Sequence, residues 1–344
     1  MKYLLTFQPL EPYTFMEEGD SCQIFSSNLP SQSTLLGTIR YLLLKKAGLL
    51  KTSCQYSQTE KEKMDELIGP RSFSFRMNRA FSGFGKIRRL SPVFLLEEEK
   101  GILIANPYCN LSEESYLPLR MGRQIQTSWG RMALPEPGQG LGERGHGEGF
   151  LRLDDMKVIA GEEIFLSSWD LAASFSEKNG CQQREHFKRE KKIMKAGYSF
   201  AVLADFEEAG EYEALMPEAI CFMGKKSAAF SMKATLFDGV CENVFGGKAS
   251  LEEYVEGAFR EYRVKKIEET GSTRKMIGQL RQTWYYALSD LYVGNAEKLS
   301  MYAMTEVLRP QVLSAGTVFQ EEPGIPQDQH LLAAGYNVVV QIGG

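Results

Sequence analysis

The sequence has no Cys-x-x-Cys pair. Its six cysteines, at 22, 54, 109, 181, 221 and 241, are scattered. That argues against a structural zinc site and a disulfide framework, and for a reducing, cytoplasmic setting. Histidine is scarce: His146, His186 and His330 are the only three, and none sits in a metal-ligand spacing or beside a nucleophile motif. No apolar run approaches the roughly 18 residues that mark a membrane span. Met1-Lys-Tyr-Leu-Leu5 is interrupted at once by Gln8, Pro9 and Glu11, and a secretory h-region and cleavage site are lacking. A glycine-rich stretch has Gly at 138, 140, 142, 145, 147 and 149. It lacks the Gly-Lys-Ser/Thr ending and the following helix of a nucleotide phosphate loop, and reads as a long flexible loop. With no nucleotide fingerprint and no nucleophile elbow either, neither a metal nor a cofactor is expected.

What is present is an uneven charge. The net charge is only −4, which by itself argues against a nucleic-acid binder, but distribution matters more than the sum. Arg71, Arg76, Arg79, Lys86, Arg88 and Arg89 fall between Pro70 and Leu90 with no acid, and Arg120, Arg123 and Arg131 between Ser115 and Pro135, again with none. The two windows carry +9, so the remainder carries −13. A basic surface on an acidic body suits a protein that holds one polyanion and docks to partners. Phe73, Phe75, Phe81 and Phe84 lie among these cations, and single-stranded RNA is held by backbone cations together with aromatic faces that stack bases.

The first forty-six residues organise the rest. Residues 1–10 read as a strand closed by Pro9 and Pro12. From Ser33, whose hydroxyl can cap the first turn, Leu35, Leu36, Ile39, Leu42, Leu43 and Leu44 give a helical apolar face. Gly37 lies inside that helix at a cost of roughly 1 kcal/mol against Ala, which suggests close approach of a strand or a ligand. The helix start either caps a core helix or, through Ser33, Thr34 and its free amides, seats a phosphate. Further on, 59–68 reads as a charged helix stopped by Gly69-Pro70, and 91–96 with 101–105 as a hairpin. Residues 168–175 read as a short helix, 182–195 as a basic segment and 198–204 as a strand. Helices are expected over 251–264 and 272–293, then a strand over 299–308.

Pro9-Leu-Glu-Pro-Tyr-Thr-Phe15 followed by Leu29-Pro-Ser-Gln-Ser-Thr-Leu-Leu-Gly-Thr-Ile-Arg40 resembles the opening of the RAMP superfamily, the repeat-associated RNA-binding proteins of CRISPR systems. The pattern is most similar to the third subunit of type III-B (Cmr) effector complexes, although Met16-Glu-Glu-Gly19 stands where that family has Arg-Asp-Gly. Weaker likenesses follow at 185–200, at 221–233, at Arg309-Pro-Gln-Val-Leu-Ser-Ala-Gly-Thr-Val-Phe319 and over 333–344.

The resemblance implies an α+β fold of two ferredoxin-like (RRM-like, βαββαβ) RAMP units with long insertions. The first domain is expected over 1–135, a flexible glycine-rich insertion and connecting segment over 136–197, and the second domain over 198–344. It further implies a non-catalytic subunit that binds the 5′ repeat-derived tag of the guide RNA (crRNA) in antiviral defence. Its partners would be the large polymerase-like subunit and a backbone RAMP subunit, with no membrane. The residues expected at RNA are Ser33, Thr34, Arg40, Arg79, Lys86, Arg88, Arg89, Arg120 and Arg123. The alternatives are a RAMP-type endoribonuclease that processes guide precursors, using a residue such as His186 or His330, and a small-molecule α/β enzyme.

Overall fold

A computed structural model describes residues 1–342 apart from 16–22, 54, 71–72, 74–82, 99, 109, 111–113, 117–119, 128–129, 137–148, 179–180, 208–217, 225–226, 270–282, 297–302, 306, 310 and 320–324. In chain order the first elements are β1 (Lys2–Pro9), β2 (Gln23–Ile24), α1 (Gln32–Lys46), α2 (Gln58–Ile68), β3 (Ile87–Leu90), β4 (Phe94–Glu97) and β5 (Gly101–Ala105). Then come β6 (Arg120–Thr127), β7 (Gly130–Glu136), β8 (Phe150–Arg152), β9 (Lys157–Ile159), α3 (Gly161–Ile164), β10 (Phe165–Lys178) and β11 (Cys181–Met194). These lead to β12 (Tyr198–Phe206), β13 (Glu218–Met223), β14 (Ala228–Leu236), α4 (Phe237–Val244) and α5 (Leu251–Glu269). The last are β15 (Tyr285–Ala287), β16 (Leu291–Tyr292), β17 (Ala303–Met304), β18 (Val307–Arg309), β19 (Val312–Leu313), β20 (Val318–Phe319), α6 (Gln329–Ala333) and β21 (Val339–Gln341).

β1 is the middle of the molecule. It is hydrogen-bonded on one side to β12 and on the other to β14, both antiparallel. Because successive strand residues face opposite sides, Tyr3, Leu5 and Phe7 enter one core with α1, while Leu4 enters a second core behind the sheet. A strand buried on both faces needs apolar residues at nearly every position, which is why Tyr3-Leu-Leu-Thr-Phe7 shows little alternation. The sheet continues as β13-β14-β1-β12-β4-β5-β8-β9, with β3 also paired to β12. Helix α1 covers the first face with Leu35, Leu36, Ile39, Leu42 and Leu43. The other face is covered by Leu251, Val255 and Phe259 of α5 and by Trp284, Tyr286, Val318 and Val340 of the C-terminal sheet. That second sheet runs β17-β20-β15-β21.

The two sheets share an order. Taken as first to fourth in the chain, β1, β4, β12 and β14 lie side by side as fourth, first, third, second, every neighbour antiparallel. β15, β17, β20 and β21 do the same. Helix α1 lies between the first and second strands of the large sheet, and α6 between the third and fourth of the small one.

Several expectations are corrected. The main sheet does not follow boundaries at 135 and 198: β1 has both its partners beyond 198, and β8 and β9, from the expected insertion, complete the sheet's far edge. Residues 168–175 are not a helix but part of β10, paired residue for residue with β11 from Phe165↔Met194 to Lys178↔Cys181. Asp170, Ala172 and Ala173 are poor strand formers and offset Trp169 and Phe175, so the partner strand decides the conformation. Of the helix expected over 272–293, residues 272–282 lie outside the described residues, and β15 and β16 occur in the rest; Trp284 and Tyr286 feed the second core. Of the strand expected at 299–308, residues 299–302 and 306 lie outside the described residues, and the rest holds the two short strands β17 and β18. Ser33 is not the cap of α1. Ser31 is, its hydroxyl accepting from the Thr34 amide. No described helix is long and apolar enough to cross a membrane.

Candidate nucleic-acid interface

The start of α1 is built from its own neighbourhood. Ser31 Oγ accepts from Thr34 N at 3.2 Å, and the hydroxyls of Ser33 and Thr34 lie 3.0 and 2.9 Å from it. The Ser33 amide, one of the donors a helix start leaves without an internal partner, donates to the Tyr336 hydroxyl at 3.1 Å. Tyr336 is buried, and burial pushes its phenol up. The chain reaches this spot through Gly335, at φ +88°, where a Cβ would lie 2.6 Å from the Ser91 carbonyl oxygen and 3.0 Å from Gln32 Oε1. That glycine is needed for packing the C-terminal segment on α1. Phe73 stacks on Tyr336 with ring centres 5.3 Å apart and lies 5.5 Å from His330, whose Nδ1 is 2.6 Å from Asp328 Oδ1.

The expected RNA residues scatter. Arg40 donates to the Gly69 carbonyl oxygen at 3.2 Å, and burial lowers its pKa. The Lys86 amide donates to the Leu67 carbonyl at 3.1 Å, and its Nζ is 3.8 Å from Glu66. Arg40 and Lys86 thus both serve the corner at the end of α2. Arg88 and Arg89 are exposed on β3; Arg89 is paired to Glu252 at 2.7 Å, and Arg88 reaches the Glu207 carbonyl oxygen at 3.4 Å. Arg120 and Arg123 are on β6, which forms a hairpin with β7. Arg79 lies outside the described residues, as do Arg71, Arg76, Phe75 and Phe81, residues 138–148 of the glycine-rich run, Lys225-Lys226 and Gly343-Gly344. Gly37 is exposed, and a Cβ there would meet nothing among the described residues, so no described strand approaches it.

The β10–β11 hairpin is the feature that sequence reasoning missed. Fourteen residues a side span about 45 Å at roughly 3.3 Å per residue. Its base is held by the short parallel strand β2 and by the Tyr13–Lys192 bridge. On one face Ser167, Trp169 and Leu171 stand opposite Lys192, Glu190 and Lys188. Trp169 is 48% exposed and meets Phe25, 46% exposed, edge to face at 5.6 Å. On the other face Asp170 takes Arg189 at 3.2 Å and Lys191 at 3.1 Å. Burial alone would raise the Glu190 carboxyl, but hydrogen bonds from Lys192, Ser167 and the Ser26 amide hold it below the usual carboxylate range. Glu190 therefore acts as an anchor at the hairpin's base, and Lys188, opposite Leu171 on the same face as Trp169, is exposed. An exposed indole among lysines offers a stacking face and phosphate counter-charges together. The density of basic residues at 182–195 is the one sign visible in the sequence; the indole's place opposite them shows only once 165–178 is a strand.

No protein-family model matches the chain, and no curated protein does. Among solved structures the chain is similar to one from the type III-B Cmr-beta complex bound to cognate target RNA and AMPPnP, at 13% identity and TM-score 0.46, over 98% of this chain and 96% of that one. It is also similar to a chain of the Csm3-Csm4 subcomplex of the type III-A CRISPR-Cas interference complex, at 12% identity and TM-score 0.34, over 94% and 93%.

Proposed function

We propose that this chain is an RNA-binding RAMP subunit of a type III-B CRISPR effector complex, without nuclease activity of its own. In this reading it holds the 5′ repeat-derived tag of the guide RNA. It docks a large polymerase-like subunit and a backbone RAMP subunit in the cytoplasm. Each sheet with its helices is read as a ferredoxin-like unit, and the shared strand order supports this, since it is the order a βαββαβ chain produces when its four strands lie antiparallel. The observation that carries RNA binding is the β10–β11 hairpin, with Trp169 and Phe25 exposed and Lys188 exposed on the same face as Trp169. An exposed indole packed against a second exposed ring on a lysine-bearing hairpin offers bases a stacking face. Arg88 and Arg89 on β3 and Arg120 and Arg123 on β6 add cations elsewhere on the body.

A second reading, a guide-processing endoribonuclease, rests on His330. A carboxylate 2.6 Å from Nδ1 orients the ring as a general base requires. One experiment separates the two. The purified chain is titrated with a short RNA carrying a repeat tag, and with a scrambled tag, across a salt series, and the RNA is run on a gel afterwards. Salt-dependent preference for the tag with intact RNA supports the tag-holding subunit. RNA cut by the wild type and not by His330→Ala supports the nuclease. No binding at low salt, with partner subunits present, overturns both.

A further inference from the structure

A groove of about 810 Å³ opens between β3, the start of α5 and the C-terminal sheet. It takes in neither the α1 start nor the β10–β11 hairpin. Beside an apolar wall that includes Tyr285, Ile325 and Val339, its lining holds three kinds of polar group. Arg88 and Arg89 supply two guanidinium groups. Glu252 and Glu256 come from successive turns of α5, and Gln327 and Gln329 flank the start of α6, both exposed. Glu256 is engaged with the backbone, accepting from the Gln341 amide at 3.2 Å. Glu252 is engaged with a side chain instead. Its carboxylate meets Arg89 at 2.7 Å, with the arginine side chain 50% exposed and the glutamate 23%.

These parts select a ligand class. Two arginines with rigid donor forks match phosphate oxygens. Side-chain amides, each with donors and an acceptor, match the edges of unpaired bases. An acidic peptide would use the arginines but has no base edges for the amides to read. A compact apolar ligand would meet Tyr285, Ile325, Leu332 and Val339 but leave both arginines and both amides unread. The volume lies within the roughly 300–1,000 Å³ of ordinary ligand sites, which is room for a few nucleotides and not for a duplex.

We propose that this groove holds a single-stranded segment of RNA, with phosphates on Arg88 and Arg89 and base edges on Gln327 and Gln329, and that Glu252 is a built-in stand-in for phosphate which the RNA displaces from Arg89. The proposal rests on the RNA-binding reading above and adds to it a second contact surface and its regulation. An exposed ion pair is weak enough to exchange. While the RNA is absent, the pair keeps Arg89 aimed into the groove and reduces its attraction for unrelated anions.

The test is a salt series with a single-stranded RNA of mixed sequence and with homopolymer RNAs, on the full chain. Replacing Arg88→Ala and Arg89→Ala together weakens binding and lowers the slope of log affinity against log salt by about 1.4, from about 0.7 per phosphate contact on a single strand. Glu252→Gln acts in the opposite direction. It tightens binding about threefold at low salt and steepens the slope, because Arg89 then exchanges a solution anion for phosphate instead of a carboxylate. A gain of this kind cannot come from misfolding. Gln327→Ala with Gln329→Ala leaves the slope unchanged and shrinks the difference between homopolymers. If the wild type binds RNA and the arginine pair can be removed with slope and affinity intact, the groove is not an RNA site, although the RNA reading stands on the hairpin. If Glu252→Gln does not tighten binding, its counter-ion role is overturned. If the wild type binds no RNA, the RNA reading falls and the groove with it.

Discussion

The start of α1 and the β10–β11 hairpin are both rich in groups that suit a polyanion, and they use those groups in opposite ways. At α1 the hydroxyls of Ser31, Ser33 and Thr34 bond one another, the Ser33 amide is taken by Tyr336, and Arg40 is folded onto the Gly69 carbonyl. On the hairpin, Trp169 and Phe25 touch each other and are otherwise about half in solvent, with Lys188 exposed on the same face as Trp169. Capping and packing a helix require the same residue types as binding a phosphate. What distinguishes the two uses is whether partners inside the fold have already satisfied the groups.

The sharpest break in this comparison is Tyr336→Ala. Tyr336 is 1% exposed, stacks on Phe73 and meets Tyr292 edge to face at 5.0 Å. Its loss should cost about 3–5 kcal/mol, as for other large buried aromatics, seen as a lower denaturant midpoint. A change below about 1 kcal/mol would mean that the C-terminal segment is not held on α1 as described. Next comes Trp169→Ala. Each stacked base contributes roughly 1–3 kcal/mol, so RNA affinity should fall by that amount, while unfolding shifts by less than about 0.5 kcal/mol because the site is exposed. Equal loss of affinity from Ser33→Ala would erase the contrast between the two regions.

A finer division lies within α1 itself. Ser31→Ala should destabilise by about 1 kcal/mol through loss of the cap. Ser33→Ala, by contrast, leaves the cap's bond to the Thr34 amide in place and should cost less than half as much. Thermal melts of the two variants side by side give the answer, and a reversed order would restore Ser33 as the cap.

Where the physics is local, the elements were legible in the sequence. Tyr3 to Phe7 as a strand, the leucine face of α1, the charged helix α2 with its stop at Gly69-Pro70 and the hairpin of β4 and β5 follow from periodicity and turn residues. Pairing across long separations was not. Nothing within Tyr3–Phe7 says that its neighbours are Phe200–Ala204 and Met232–Leu236. Nothing within Ser168–Phe175 shows that Arg184 to Lys191 lie opposite and make it a strand. The candidate site shared this limit. Arg88 and Arg89 were visible as charge, but Glu252, which answers Arg89 from 163 residues away, and Gln327 and Gln329 across the groove, carried no local mark.

Gly37 is the case in which local reasoning gives a definite cost and the fold leaves it unanswered. A helical glycine in the middle of fifteen residues loses about 0.5–1 kcal/mol against alanine through backbone entropy. Such a loss suggests a close neighbour, yet a Cβ at 37 would meet no atom of the described residues within 4 Å, and the residue is exposed. Within the chain alone, Gly37→Ala should therefore raise stability by about that amount, which a denaturant titration can resolve. RNA binding measured on the same variant then divides the causes. If affinity is unchanged, nothing in the RNA approaches this face of α1, and the contrast with the hairpin holds. If affinity drops while stability rises, the missing side chain leaves room for a ligand backbone, and the face of α1 around Gly37 joins the interface that the cap residues alone do not make.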